Sequence, residues 1–400
     1  MYMLKSSEST NAIELANIKI LANLKSNFGL DRLGAMPTHD IECFSSGSLM
    51  LDLALGQGFP KGRLIEIFGL ESSGKTTLAL SSIASIQKSG GFCAFIDVEC
   101  ALDPRYARAL GVDVDNLYYC QPSCGEEAFN SMEAIIRSKL FHLVVLDSIA
   151  ALTPKAEIEG DIQDTQIGMQ ARLMSKGLRM INKAVSDSGC SVIFINQLRL
   201  KIGVVYGDPR VTSGGEAMKY YASIRVEIKK NSQPLRDSNN NVTGIKAKAR
   251  VIKNKVSVPY GEADFDIIYA AGIDIAGEIL DLGVKYGIFT KSGAWYIIGV
   301  KKLQGRDAAV AYLKTQKNVL TFLKQEIIKL SIILDTNSKE IAVKNIFAAI
   351  EKMYTEVVDT NLELENIETE NIDTINSLNE FKNKLNNTQD TDTDNIDGFN

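Results

Sequence analysis

Gly69, Leu70, Glu71, Ser72, Ser73, Gly74, Lys75 and Thr76 fit the spacing G-x-x-x-x-G-K-[ST], and Thr77 follows directly. Two glycines at that separation let a backbone turn tightly, so that its N–H groups converge on phosphate oxygens at a helix N-terminus. Lys75 would set a point charge between β- and γ-phosphates, and the Thr76 hydroxyl is placed to ligate Mg²⁺. Two apolar runs further on end in acids. Leu143-Val-Val-Leu-Asp147 puts Asp147 where a carboxylate holds Mg²⁺ through its water shell. Phe95-Ile-Asp97-Val-Glu99 offers a carboxylate at the C-terminal edge of a strand, where open α/β sheets bind ligands and an acid can deprotonate an attacking water. On spacing alone, Asp97 and Glu99 compete for that role.

These groups need strand ends and helix starts to hold them. Strands are expected at Arg63–Phe68, Cys93–Val98, Leu117–Gln121, Leu143–Leu146, Ser191–Asn196 and Ser223–Lys229, with helices at Thr76–Lys88, Gly125–Leu140 and Met169–Ser188 between them. Strands alternating with helices of this length imply crossover units and a largely parallel sheet, an α/β fold. Residues 1–46 hold an N-terminal helix, with Ile13, Leu15, Ile18, Leu21, Ala22 and Leu24 at helical spacing, and a linker. Residues 47–263 form the α/β core. Residues 264–355 read as a small mixed domain: an apolar strand, a helix near Ile275–Tyr286, a Trp-bearing strand and further helices. Residues 356–400 are rich in Asn, Asp, Glu and Thr, poor in aromatics, and expected to be disordered.

At 400 residues, 45% hydrophobic and 23% charged, the chain has ample length for a large core and is not a wholly disordered one. No run approaches the ~20 apolar residues of a membrane-spanning helix, so no membrane role is expected. Six scattered cysteines without paired spacings suit reduced thiols in the cytoplasm. Residues 356–400 hold twelve acids against Lys382 and Lys384, a net of −10, and the overall −5 therefore leaves +5 on the remainder. A mildly basic body with an acidic tail suits a protein that meets nucleic acid, although a solvated tail explains the same charge.

With these residues in place the chain closely resembles the bacterial RecA recombinases, from about Asn11 to Lys329. The resemblance is carried by Gly69–Thr77 (GLESSGKTT), Phe95–Pro104 (FIDVECALDP), Leu146–Pro154 (LDSIAALTP), Phe194–Gln197 (FINQ), Thr212–Gly215 (TSGG) and Gly293–Tyr296 (GAWY). It implies a RecA-type P-loop ATPase core with a mostly parallel central sheet flanked by helices, a short N-terminal helical segment and a small α+β C-terminal domain. It also implies ATP with Mg²⁺, Glu99 as general base, and Asp103 and Tyr106 on the adenine. Gln197 matches the residue that senses the γ-phosphate. Lys253 and Lys255 match lysines that reach the ATP of a neighbouring subunit.

Two segments resemble DNA-binding loops, Glu157–Gly168 and Gly203–Gly215. Thr212, Ser213, Gly214 and Gly215 would let backbone N–H groups approach phosphates. Arg172, Arg179, Arg199 and Lys201 would neutralise the strand, and Tyr206 would stack on or wedge between bases. The partners implied are single-stranded and double-stranded DNA, further copies of the chain in a helical filament, and a LexA-type repressor in an SOS response. The N-terminal helix matches the family's polymerisation element and Tyr220 a position at the subunit interface, while intramolecular packing explains the helix's apolar face equally well. Leu70 replaces the usual Pro and Cys100 stands where His is frequent. A kinase or helicase motor, and a strand-coating protein with a decayed ATPase, are the competing readings. The first would need a further module, and the second is opposed by intact Lys75, Thr76, Glu99, Asp147 and Gln197.

Overall fold

The structure, a computed structural model, describes residues 5–29, 41–161, 168–200, 209–237, 239–299, 301–333, 335–350 and 352–353. The chain divides into two units at Glu42/Cys43. The first contains one helix, α1 (Lys5–Phe28), which spans Ile13 to Leu24, the residues whose spacing predicts it. The expected tail of residues 356–400, residues 162–167 of the first DNA segment and residues 203–208 of the second, Tyr206 among them, lie outside the described residues, as does Lys201.

The second unit opens with β1 (Cys43–Phe44), α2 (Leu49–Leu55) and β2 (Phe59–Pro60), β1 and β2 pairing antiparallel. The α/β core follows as β3 (Leu64–Gly69), α3 (Lys75–Lys88), β4 (Phe92–Asp97), α4 (Pro104–Ala109), β5 (Leu117–Cys120), α5 (Gly125–Arg137), β6 (Phe141–Asp147), α6 (Lys155–Glu159), α7 (Met169–Ser188) and β7 (Ser191–Leu200). It continues through β8 (Arg210–Thr212), α8 (Ala217–Tyr221), β9 (Ile224–Arg236), β10 (Val242–Asn254), β11 (Glu262–Ile268) and β12 (Gly272–Ile273). The chain then adds α9 (Ile275–Lys285), the antiparallel sheet β13 (Thr290–Ser292), β14 (Trp295–Ile298) and β15 (Lys301–Gln304), α10 (Arg306–Thr315) and α11 (Lys317–Ile332), with residues 336–350 also helical.

The large sheet runs β12-β11-β10-β9-β3-β7-β6-β4-β5. From β9 to β5 every neighbouring pair is parallel, because each crossover helix returns the chain to the same edge. Strands covered on both faces need apolar residues throughout. Ile65, Ile67, Val145 and Ile193 accordingly pack beneath α3, while Leu64, Val144, Leu146 and Phe194 pack beneath α5 and α7. Fully burying one such side chain contributes about 1.5–3 kcal/mol.

The expected strands and helices are all present, and three expectations need correcting. Ser191–Asn196 extends to Leu200 because Arg210–Thr212, expected as loop, pairs with it antiparallel. Ser223–Lys229 extends to Arg236 and turns through an Asp237-capped bend into β10. The apolar strand placed in the small segment from residue 264 is β11, which pairs with β10 along Glu262–Ile268 and so belongs to the large sheet.

Glu278 on α9 ties the C-terminal part to α2. Its carboxylate accepts from Ser48 Oγ (2.5 Å) and from the N–H groups of Leu49 (2.6 Å) and Met50 (3.4 Å), satisfying the start of α2. Burial pushes this carboxyl up from 4.5 to about 8, against the lowering pull of those donors. Between 4.5 and 8 the folded state therefore holds a proton that the unfolded chain has released, so stability falls as pH rises through that window. The thermal midpoint is expected to drop between about pH 5 and pH 8, and Glu278→Gln to flatten that part of the curve. An unchanged slope in the variant would assign the drop to other groups.

Candidate active site

The site assembles along one edge of the large sheet. Gly69 ends β3 in register with Gln197 on β7, and Asp97 ends β4 in register with Asp147 on β6. Parallel strands share a direction, so four short sequences far apart in the chain deliver their functional ends to one line.

The phosphate loop, residues 69–76, joins β3 to α3. A Cβ on Gly69 would lie 2.1 Å from the carbonyl oxygen of Ile228, so β9 passes too close for any other residue. Gly74 takes φ +96° as the cap of α3, the left-handed conformation that turns the loop into the helix. Ser73 is buried and its hydroxyl lacks a partner. Lys75 is 9% exposed, and its ammonium donates to the Leu70 carbonyl at 2.8 Å. Burial lowers the Lys75 pKa, and Asp147, Glu99 and Glu71 offset this only in part. An orphaned hydroxyl and a desolvated cation at a helix N-terminus are unmet demands for an anion, which a triphosphate fits.

Thr76 Oγ1 donates to Asp147 Oδ2 at 2.7 Å, which joins the two residues expected at Mg²⁺. Burial raises the Asp147 carboxyl to about 6, helped by Glu99 and Asp97 and opposed by the Thr76 bond and Lys75. A neighbouring divalent cation would reverse that bias, so the oxygen set suits Mg²⁺.

Asp97 and Glu99 are separated by their environments. Asp97 is 1% exposed and accepts from Leu102 N (3.0 Å) and Tyr119 OH (3.0 Å), bonds that shape the bend after β4. Glu99 is exposed; the N–H groups of Val98 and Glu99 hold to the Asp147 carbonyl. Glu99 Oε1 accepts from Ser148 Oγ and from Gln197 Nε2, the latter at 2.9 Å. Lys75, Thr76, Asp147, Glu99 and Gln197 are thus brought together. Ser148 was missed, although it directly follows Asp147. The Tyr106 hydroxyl shares a 2.7 Å hydrogen bond with Thr77 Oγ1, beside the loop, whereas Asp103 caps α4 and pairs with Arg105.

Lys253 and Lys255 are not at this edge. Lys255 N bonds the Ser223 carbonyl and Ser223 N bonds the Leu64 carbonyl, which places Lys255 level with the start of β3. Gly69 lies at the other end of that strand, about 17 Å away at roughly 3.3 Å per residue. Both ammonium groups turn to the end of α8. Lys253 Nζ donates to the carbonyls of Lys219 (2.5 Å) and Tyr220 (3.1 Å), and Lys255 Nζ to that of Tyr220 (3.4 Å). Burial, then the charges of Lys255 and Arg225, lowers the Lys253 pKa.

Near the two segments expected to bind DNA, Thr153, Glu157, Gln170, Arg199, Thr212 and Ser213 line a cavity of about 450 Å³. Arg199 Nε donates to Ser213 Oγ at 3.1 Å, and Thr212 Oγ1 is buried without a partner. Arg172 and Arg179 are exposed on α7, and Gly214 and Gly215 follow Ser213 with positive φ.

Family models agree with this layout: the RecA N-terminal domain matches residues 13–274 and the RecA C-terminal domain residues 277–331. The chain belongs to the RecA family. Protein RecA of Rippkaea orientalis is 51% identical over 312 residues, 77% of this chain and 89% of that protein. Protein RecA of Cereibacter sphaeroides is 50% identical over 305 residues, 75% and 88% of the two chains. Protein RecA of Wolbachia sp. subsp. Drosophila simulans is 47% identical over 354 residues, 86% and 98%. The recombinase role in homologous pairing and repair follows with the RecA family. Among the described residues no helix is long and apolar enough to cross a membrane.

Proposed function

We propose that this chain is a DNA-dependent ATPase that polymerises on single-stranded DNA, pairs it with homologous duplex and exchanges strands, each nucleotide being shared by two subunits. The observation that carries this reading is the division of charge between sheet edges. Lys75, Glu99 and Gln197 occupy one edge, and Lys253 and Lys255 occupy the other, beyond reach of their own phosphate loop. Cations at the far edge of one subunit are placed to meet the nucleotide of the next, and head-to-tail repetition of such a contact yields an open helical polymer. The exposed Ile18, Ile20 and Leu21 of α1 supply an apolar surface for the same assembly.

Within the site, Glu99 takes the proton from the attacking water while Ser148 and Gln197 fix its orientation. Lys75 neutralises charge developing on the phosphates, and the lysines of the neighbour add to it. Mg²⁺, held by Thr76 and through water by Asp147, would neutralise the β- and γ-phosphate oxygens. Asp103 and Tyr106 flank the adenine. Gln197, on β7, precedes the second DNA segment, so a phosphate contact there biases the loop that grips DNA through Thr212, Ser213, Gly214 and Gly215, with Arg199 on β7 and Arg172 and Arg179 on α7 adding positive charge. The assembled polymer is also the form that would promote self-cleavage of a LexA-type repressor.

ATP turnover measured with and without single-stranded DNA tests the reading: strong stimulation is expected, and equal turnover in both conditions contradicts it. Sharing of the nucleotide has its own test. Lys75→Ala and Lys253→Ala subunits are each expected to be inactive alone, yet to recover turnover when mixed, because some junctions then combine an intact Lys75 with an intact Lys253. No recovery on mixing, with both variants still assembling, would place the lysines outside the neighbour's site.

A further inference from the structure

Glu66 lies in the middle of β3, three residues before the phosphate loop, and is completely buried. Its neighbours along the strand are apolar, and a buried ion pair adds little stability over apolar packing. Each carboxylate oxygen has a separate partner on a different flanking strand. Oε2 accepts from Arg225 Nε on β9 at 2.5 Å, and Oε1 accepts from Asn196 Nδ2 on β7 at 2.8 Å.

Both partners lead onward. Asn196 Nδ2 also reaches the Ser213 carbonyl (3.1 Å), and Asn196 Oδ1 accepts from Gln197 N (2.9 Å). Both N–H donors of that amide are engaged and its oxygen holds the Gln197 N–H, so a shift of the Gln197 backbone that keeps this bond draws on the bonds to Glu66 and Ser213. On the other side, Arg225 lies over the Phe68 ring and directly opposite Lys253 in the β9–β10 ladder. Glu66 neutralises a guanidinium that would otherwise repel Lys253 unopposed.

We propose that Glu66 is a positioning residue that couples a subunit's own nucleotide, sensed at Gln197, to the Lys253 that serves the next subunit's nucleotide. The inference rests on the shared-nucleotide reading above and adds a route across the sheet. A displacement at Gln197 shifts Asn196, which loads Glu66, which sets how firmly Arg225 is held beside Lys253. Nucleotide binding along the polymer thereby becomes cooperative, one edge of each subunit reporting to the other.

The test is the ATP-concentration dependence of turnover on single-stranded DNA, in the full-length chain and in Glu66→Gln, which keeps an acceptor for Asn196 and loses the charge facing Arg225. The parent is expected to respond sigmoidally. The variant is expected to bring the Hill coefficient to about 1 while changing the affinity of unassembled subunits for a fluorescent ATP analogue less than twofold. A structural role alone would not separate those two readouts. Should Glu66→Gln fail to fold, Asn196→Ala, which leaves the Glu66–Arg225 pair intact, is expected to give the same loss of sigmoidality. A DNA-stimulated but hyperbolic parent, or a foldable variant as sigmoidal as the parent, overturns the relay and leaves the proposed function standing. Absence of DNA stimulation in the parent overturns both.

Discussion

Lys75→Ala is expected to reduce ATP turnover on single-stranded DNA by at least about 10²–10³-fold, the scale on which single charge-stabilising donors contribute in dry sites. Lys75 is 9% exposed, its ammonium donates to the Leu70 carbonyl, and burial already lowers its pKa. Such a cation is costly to keep in the nucleotide-free fold and becomes favourable only beside phosphate. The same substitution is therefore expected not to lower, and even to raise, the thermal midpoint of nucleotide-free protein. Weaker nucleotide binding with undiminished stability separates this role from a structural one. Retained turnover would remove residues 69–76 from the reaction.

Glu99→Gln is expected to lower turnover by about 10²–10⁴-fold, the usual contribution of a positioned general base, while ATP-dependent retention on single-stranded DNA persists. The argument is geometric. The amide oxygen of the variant can still accept from Ser148 Oγ and Gln197 Nε2, so the contact between the base and the residue at the root of the second DNA segment survives. Only the capacity to take a proton is lost. Glu99→Asp draws the carboxylate back by one methylene and is expected to fall between parent and Glu99→Gln in turnover. If Glu99→Gln abolished DNA retention together with hydrolysis, Glu99 would be a binding or folding residue instead of a base.

Much of the α/β core was readable from residue types because buried parallel strands leave a simple trace, a short apolar run ending where a ligand edge begins. Leu143–Asp147 carries that trace fully, and Leu64–Gly69 carries it but for Glu66. The antiparallel wing was harder. β10 alternates buried and exposed residues and carries Lys246, Lys248 and Arg250, so its apolar signal is diluted along a half-solvated face. β8 was obscured by the Gly- and Pro-containing segment before it. β11 looked like the start of a new domain because its pairing partner lies before a bend that hydropathy does not mark.

For the site, the phosphate loop, Asp147 and the pair Asp97/Glu99 were legible, but not which acid of the pair faces the reaction. That choice depends on Leu102 N and Tyr119 OH claiming Asp97, contacts that arise only once the bend after β4 is folded. The placement of Lys253 and Lys255 was equally out of reach, since strand register, not composition, puts them level with the start of β3. A lone acid in Leu64-Ile-Glu66-Ile67 was the one visible hint of the buried Glu66 network.

Electron microscopy of the full-length protein with single-stranded DNA and a non-hydrolysable ATP analogue interrogates subunit sharing at atomic level. The expected image is a regular helical polymer in which each analogue, seated on Lys75 beside Glu99, is also touched by Lys253 and Lys255 of the adjoining copy. An analogue enclosed by one copy alone, with both lysines still on the α8 carbonyls of their own chain, or particles that never polymerise, would contradict the account.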